Sequence, residues 1–404
     1  MAESADDLSC LSDVICANWP SLALWTDELS GAQADCPHTV GIADSPAGMR
    51  EHTTRPIWRR PSMKRLFALS VLLALALVSL PSFAWIRSPA TTFATLPAGG
   101  TPPEGIAVDA SGNVYVSTFG HPEPPATSTD PGRIVVFDSH GKLLRQLVVT
   151  GASPHLLGLG VHPSTQALLV ADFGAGKVLS VDPLSGASQV FTDIGPASGL
   201  NALTFDSAGN VYISDSFQGI IWRTGPVGGP AVAWATDPLL ATTGVPPFGA
   251  NGLAFNNSGT LLYVANTGND SVVTIPVSGG AAGAASVLAY SINGADGVAV
   301  DASDNIWVVA NQSDEIVVLD PTGKAIAKLG DFNGIDPKGA VRGLLFPASL
   351  VFSGESVLVT NLVLDLGTIF GLPTVDSQWA AQVTRYTVSK INRHLPPVPG
   401  PKGR

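Results

Sequence analysis

An all-β, six-bladed β-propeller with four-stranded blades is the fold this sequence predicts, and three observations predict it. A phrase of the form polar–Gly–apolar–small–apolar–Asp, followed by a Gly/Asn turn and an alternating apolar strand, recurs along the chain. It starts at Glu104, Leu157, Asn201, Asn251, Asp296 and Ala348, at intervals of 53, 44, 50, 45 and 52 residues. Units of this period that each read as several strands are blades, because one unit cannot bury its own apolar face. Composition agrees: of 404 residues only 13% are charged, with 43 Gly and 32 Pro, too few charges and too many breakers for long amphipathic helices. Finally, the turns DASGN, DSAGN, NNSGT and DASDN put Gly or Asn where a tight hairpin needs positive φ.

Residues 1–62 have no helical or alternating period and no repeat, and read as a disordered or mis-assigned extension ahead of Met63. A cytosolic tail on a membrane-anchored protein is the alternative. Residues 63–84 have the three parts of a secretory signal: the basic Met63-Lys64-Arg65, the apolar LFALSVLLALALVSL, and the small residues of Ser82-Phe83-Ala84. The apolar run, about 15 residues, is shorter than the roughly 20 a spanning helix needs. An exported chain, periplasmic or extracellular, is therefore expected, with no stable membrane insertion after cleavage. All three cysteines, Cys10, Cys16 and Cys36, precede Met63, so the exported part would have neither disulfides nor thiolate chemistry.

The propeller is expected over 90–390. In its first blade the four strands are GIAVD, NVYVST, GRIVVFD and KLLRQLVV. The copies at Leu157 (LGLGVHPSTQALLVADF) and Ala348 (ASLVFSGESVLVTNL) are weaker but keep the period. The last blade takes its third strand from 382–389 (QVTRYTVS) and then lacks an outer strand. TTFATL at 91–96 is free to fill that gap and close the ring, which removes open edges. A Pro-rich tail, 391–404, follows.

Net charge is −11, and the chain after Ala84 keeps 15 Lys/Arg against 23 Asp/Glu. No basic stripe is present to displace counterions, so a nucleic-acid partner is not expected. A small-molecule substrate and a monomer are.

In a propeller the first strand of each blade lines the axis, so one shared sequence slot becomes one ring in space. That slot holds Glu104, Leu157, Asn201, Asn251, Asp296 and Ala348. Two carboxylates and two amide oxygens, without His or Cys, suit one hard divalent cation: Ca2+ first, with Mg2+, Mn2+ or Zn2+ as alternatives. Asn-Gly and Asp-Gly are also ordinary turn pairs, so Asn251 and Asp296 carry weight through their register rather than alone. Two long loops, 119–132 and 361–382, would overhang this ring. His155 and His121 fall on the same face as candidate general bases, although exposed loop histidines are common. Asp215, Asn266 and Asn311, ending second strands, are candidates to orient the ligands. Tyr115, Tyr212, Tyr263 and Trp307 read as packing between blades. Asp109, Asp206 and Asp301 read as turn formers.

The order Glu, gap, Asn, Asn, Asp, with PEGIAVD, NGLAFNNSGTLLYVANTG and ADGVAVDASDNIWV, resembles the regucalcin/gluconolactonase family of six-bladed propellers. The resemblance covers about 90–390. It implies that Glu104, Asn201, Asn251 and Asp296 are metal ligands and that Asp296, or its water, is the base in lactone hydrolysis. Family lactonases often show Arg-x-Asn-Asp in the third blade, with the Arg on substrate hydroxyls. Here the text is Gly199-Leu200-Asn201-Ala202, a departure that bears on sugar specificity. Two functions follow: an exported metal-dependent hydrolase of a lactone-like or ester substrate, or an NHL-type binding module for a protein or glycan. The acid/amide ring under long loops favours the first, and the missing arginine the second.

Overall fold

The structure is a computed structural model, and it describes residues 88–120, 131–371 and 374–395. The extension, the signal segment, most of the tail, and His121 with its loop at 121–130 lie outside the described residues.

Six antiparallel sheets of four strands, one with an added hairpin tip, form the blades. The first runs through Pro103–Val108, Val114–Thr118, Arg133–Phe137 and Leu143–Val148, as the turns predicted. The inner strands of the other five are Leu156–Val161, Leu200–Phe205, Ala250–Phe255, Ala295–Val300 and Pro347–Ser353. Each inner strand contacts the next in cyclic order, and the sixth returns to the first. The ring is closed as expected: Thr91–Thr95 pairs antiparallel with Thr387–Asn392 and completes the sixth blade.

The third strand of that blade starts later than QVTRYTVS implied. Residues Ser377–Ala380 form a short helix, and the N–H groups of Gln382 and Val383 close its last turn on Trp379 and Ala380. Thr384 and Arg385 then donate their N–H groups to the Gly339 carbonyl, so the chain reaches the sheet only at Thr387. Gly339 belongs to a hairpin link between Phe332–Ile335 and Val341–Gly343, an insertion the repeat did not reveal.

Blades pack through their second strands. Tyr115, Tyr212, Tyr263 and Trp307 are all buried there. Burying a Tyr or Trp leaves a polar tip to satisfy. Tyr115 and Tyr212 donate through Oη, and Trp307 through Nε1, to Asp109, Asp206 and Asp301 at 2.9, 3.1 and 3.0 Å. Each of these aspartates also accepts backbone N–H groups of its own hairpin, as at Asp109 from Ser111 and Asn113. One carboxylate thus fixes both a turn and an interblade aromatic.

Candidate functional site

All six inner strands break register at the same place. Pairing with the second strand slips between Pro103 and Ile106, Leu156 and Leu159, Leu200 and Leu203, Ala250 and Leu253, Ala295 and Val298, and Pro347 and Leu350. A β-bulge re-aims the extra side chain and frees a backbone N–H. The six ring residues lie in these bulges. Second-strand hydroxyls satisfy the freed groups: Gly105 N–H donates to Ser117 Oγ (2.9 Å), Ala202 to Ser214 Oγ (2.9 Å) and Ser349 to Thr360 Oγ1 (3.0 Å).

The glycines after the ring residues answer to packing, not to turns. A Cβ on Gly158 would lie 2.6 Å from the Asn201 carbonyl oxygen, and one on Gly297 would lie 2.7 Å from that of Ala348. Gly105 and Gly252 face the carbonyls of Leu157 and Asp296 in the same way. Neighbouring inner strands approach too closely for a side chain there. Asn251-Gly252 and Asp296-Gly297 therefore lie within inner strands, and the turn explanation of these pairs does not hold.

Glu104, Asn201, Asn251 and Asp296 are all buried and line one axial cavity of about 470 Å3, including the space open to solvent. Leu157, the apolar member of the ring, lines it too. Burial, and then the charge of Asp296, pushes the Glu104 carboxyl well above the usual carboxylate range. Burial pushes Asp296 up to about 7, against hydrogen bonds from Asn311 and Asn251 that hold it down. Glu104 Oε2 and Asp296 Oδ1 are buried acceptors with no donor. Two carboxylates that repel each other, each with an unmet acceptor, form a site a cation would satisfy.

The next slot along each second strand forms a second ring. Ser216, Thr267 and Asn311 occupy it beside Asn201, Asn251 and Asp296. Asn201 Nδ2 donates to Ser216 Oγ at 3.2 Å, and Asn251 Nδ2 to Thr267 Oγ1 at 2.9 Å. Both hydroxyls spend their own hydrogens on carbonyls of the next blade, Ala250 and Ala295, each at 2.7 Å. They can only accept from the amides, which leaves each Asn carbonyl oxygen as the group free to bind a cation. Asn311 Nδ2 donates to Asp296 Oδ2 at 3.1 Å.

Of the three candidates to orient ligands, Asn311 is the one whose side chain hydrogen-bonds a ring residue. Asp215 accepts from the N–H groups of Gly199, Phe217 and Gln218, and Asn266 donates to the carbonyls of Leu239 and Ala241. Both anchor loops. The register explains the difference: second strands end at Asp215, Asn266 and Ala310, so Asn311 stands one place further on, level with Ser216 and Thr267. Those two hydroxyl residues were missed because Ser and Thr in a strand-to-turn step look ordinary. Only the register gives them away.

His155 sits at the mouth with its ring 4.9 Å from that of Phe119, centre to centre, outside the residues that line the cavity. The start of the 361–382 loop lies at the ring: Leu362 and Leu364 line the cavity, and Leu366 packs with them against Phe346. Among the described residues no group of three or more His, Cys, Asp or Glu could hold a metal, so a cation here depends on the two amides.

The model of the SMP-30/Gluconolactonase/LRE-like region matches residues 152–330. None of the curated proteins matches the chain in sequence. Among solved structures, a luciferin-regenerating enzyme superposes with a TM-score of 0.54 at 16% identity, over 76% of this chain and 96% of that one. A gluconolactonase from Xanthomonas campestris gives 0.53 at 15% identity, over 79% and 99%. A calcium-binding protein, regucalcin, from Agrobacterium tumefaciens gives 0.50 at 18%, over 75% and 98%. These likenesses establish the shared fold. The stretch similar to the SMP-30/Gluconolactonase/LRE-like region, residues 152–330, thus lies within a six-bladed propeller.

Proposed function

We propose that this chain is an exported, divalent-metal-dependent hydrolase of a lactone-like or ester substrate, working as a monomer at the axial mouth of the propeller. The observation that carries the reading is the pair of buried carboxylates, Glu104 and Asp296, each with an unpartnered acceptor oxygen, lining one cavity beside two oriented amides. Glu104, Asn201, Asn251 and Asp296 would hold the cation, Ca2+ first. Such an ion supplies Lewis acidity toward a carbonyl oxygen. Ser216 and Thr267 keep the two amide oxygens available, and Asn311 holds one oxygen of Asp296. The other oxygen, Oδ1, has no donor, and in this reading Asp296 or a water it holds is the base. His155, at the rim, is the second candidate base. The SMP-30/gluconolactonase match over 152–330 supports a lactonase-type reaction.

Purified protein should be assayed with Ca2+ against a panel of lactones and aryl esters, beside Asp296→Ala. Cation-dependent hydrolysis lost in the variant is expected. A wild type that binds the cation but hydrolyses nothing would instead favour the NHL-type binding module, which the Gly199-Leu200-Asn201-Ala202 text at the third blade already suits.

A further inference from the structure

The wall above the ring is aromatic, and a cation site does not require that. Phe119 meets Phe173 edge-on with ring centres 6.3 Å apart. Phe173 meets Phe217 at 5.1 Å and Phe248 at 6.3 Å, and Phe217 and Phe248 stack at 6.1 Å with 19° between their planes. Four rings from four successive blades so form one arc around the mouth. Phe119, Phe173 and Phe248 line the cavity together with Phe346, Leu362 and Leu364. Phe217, at the rim of the arc, is 54% exposed although large and apolar.

The register gives two of these rings, Phe119 and Phe173, a simple origin. Phe119, Phe173 and Leu362 occupy the slot that carries Ser216, Thr267 and Asn311 in the other three blades. Polar members face polar ring residues. Apolar members stand beside Glu104, Leu157 and Ala348. The donors at the cavity have partners, the Asn201 and Asn251 amides in hydroxyls, the Thr267 hydroxyl in the Ala295 carbonyl and the Asn311 amide in Asp296, while the open acceptors, Glu104 Oε2, Asp296 Oδ1 and Asn311 Oδ1, belong to the polar floor. Among the described residues no Lys or Arg lines the cavity. Hydroxyls on a substrate body would meet phenyl rings and stay unpaired, which disfavours burial, whereas an apolar body would gain from it.

We propose that the site accepts lactones or esters with an aryl or alkyl body and one carbonyl directed to the polar floor, and discriminates against polyhydroxylated sugar lactones. Bond cleavage here rests on the hydrolase reading, while the choice of body does not. Water oxygen would bond to the carbonyl carbon, the carbon–oxygen ester bond would break, and the leaving oxygen would take up the proton given up by the water, yielding a hydroxy acid from a lactone or an acid and an alcohol from an ester.

The test uses the full chain with Ca2+. Calorimetry measures binding of 3,4-dihydroquinolin-2-one, an unreactive aryl lactam, and of δ-valerolactam. Hydrolysis is followed for dihydrocoumarin, γ-lactones of rising alkyl length and glucono-δ-lactone. The aryl lactam should bind at least tenfold more tightly than δ-valerolactam, and kcat/KM should rise about threefold per added methylene. Phe173→Ala and Phe248→Ala should each weaken aryl-lactam binding about tenfold, with Phe248→Leu restoring part of it and thermal unfolding verifying the fold. Aryl-lactam binding with no hydrolysis of any substrate would sustain this inference and overturn the hydrolase reading. Preferential hydrolysis of glucono-δ-lactone would overturn this inference and leave that reading standing. Failure of the folded wild type to bind the aryl lactam would also overturn it.

Discussion

Asn251 Nδ2 donates to Thr267 Oγ1 at 2.9 Å, and that hydroxyl in turn donates to the Ala295 carbonyl at 2.7 Å. The relay joins the fourth and fifth blades and decides which end of the Asn251 amide is committed to the wall. Asn201 and Ser216 repeat it one blade earlier.

Thr267→Val removes the relay and keeps the shape. It should weaken Ca2+ binding by about 10–100-fold, the usual cost of losing a group that orients a ligand. Thr267→Ser keeps the hydroxyl and should stay within a few-fold of wild type. Calorimetric titration of the three proteins checks this. Equal affinities for Val and Ser would show that the hydroxyl orients nothing.

Gly252→Ala puts a methyl group against the Asp296 carbonyl, where the structure has no room. Separating two inner strands should cost about 1–3 kcal/mol and weaken cation binding as well. Denaturant unfolding would give the first quantity. Gly259→Ala, at a turn position with open space but φ of +69°, tests backbone strain alone and should leave cation affinity unchanged.

The ring of ligand candidates was legible because a repeat places one slot at one radius, so Glu104, Asn201, Asn251 and Asp296 stood together before any geometry was known. Closure by 91–96 was legible for a related reason: a sixth unit short of one strand needs an edge partner. The second ring was not. Asn311 was grouped with Asp215 and Asn266 because all three read as strand ends, and only the pairing of Ala295 with Ala310 shows the offset of one. The aromatic arc was hidden for a different reason: Phe217 and Phe248 lie between strands, where no periodicity marks them. The Asn-Gly pair left a turn open as a competing reading because sequence does not show the neighbouring strand that excludes a Cβ.

Without metal, stability should fall as pH rises from about 4 to about 7. An Asp in an unfolded chain titrates near 3.9, whereas burial raises Asp296 to about 7 and Glu104 also upward. In that window the folded state binds more protons than the unfolded, so raising pH favours unfolding. Asp109 and Asp301 are pushed up by burial but held low on balance by hydrogen bonds from Asn, Tyr or Trp side chains and hairpin N–H groups, so they give the opposite slope, but only below about pH 4. Thermal unfolding in chelator at pH 5 and pH 8 tests this: wild type should melt lower at pH 8, and Glu104→Gln/Asp296→Asn should show a smaller difference. Ca2+ should raise the melting temperature at pH 8 more than at pH 5, since protons compete for the same oxygens.

Asp314 supplies a control away from the ring. Burial first, and then the charge of Asp376, raises it to about 7, while its Oδ1 accepts the Phe346 N–H at 2.7 Å. Asp314→Asn retains the acceptor and removes the charge, so it should stabilise the protein at pH 8 and change little at pH 5. Asp314→Ala strands a buried N–H and should cost about 1–3 kcal/mol at either pH. Chemical denaturation of both variants separates the two effects.

The central claim, one axial cation held by Glu104, Asn201, Asn251 and Asp296, is tested most directly by calorimetric titration of the metal-free protein with Ca2+ at pH 8. One site per chain is expected, abolished in Glu104→Gln/Asp296→Asn, with that variant folded by circular dichroism. No binding by the wild type, or equal binding by the double variant, would contradict it.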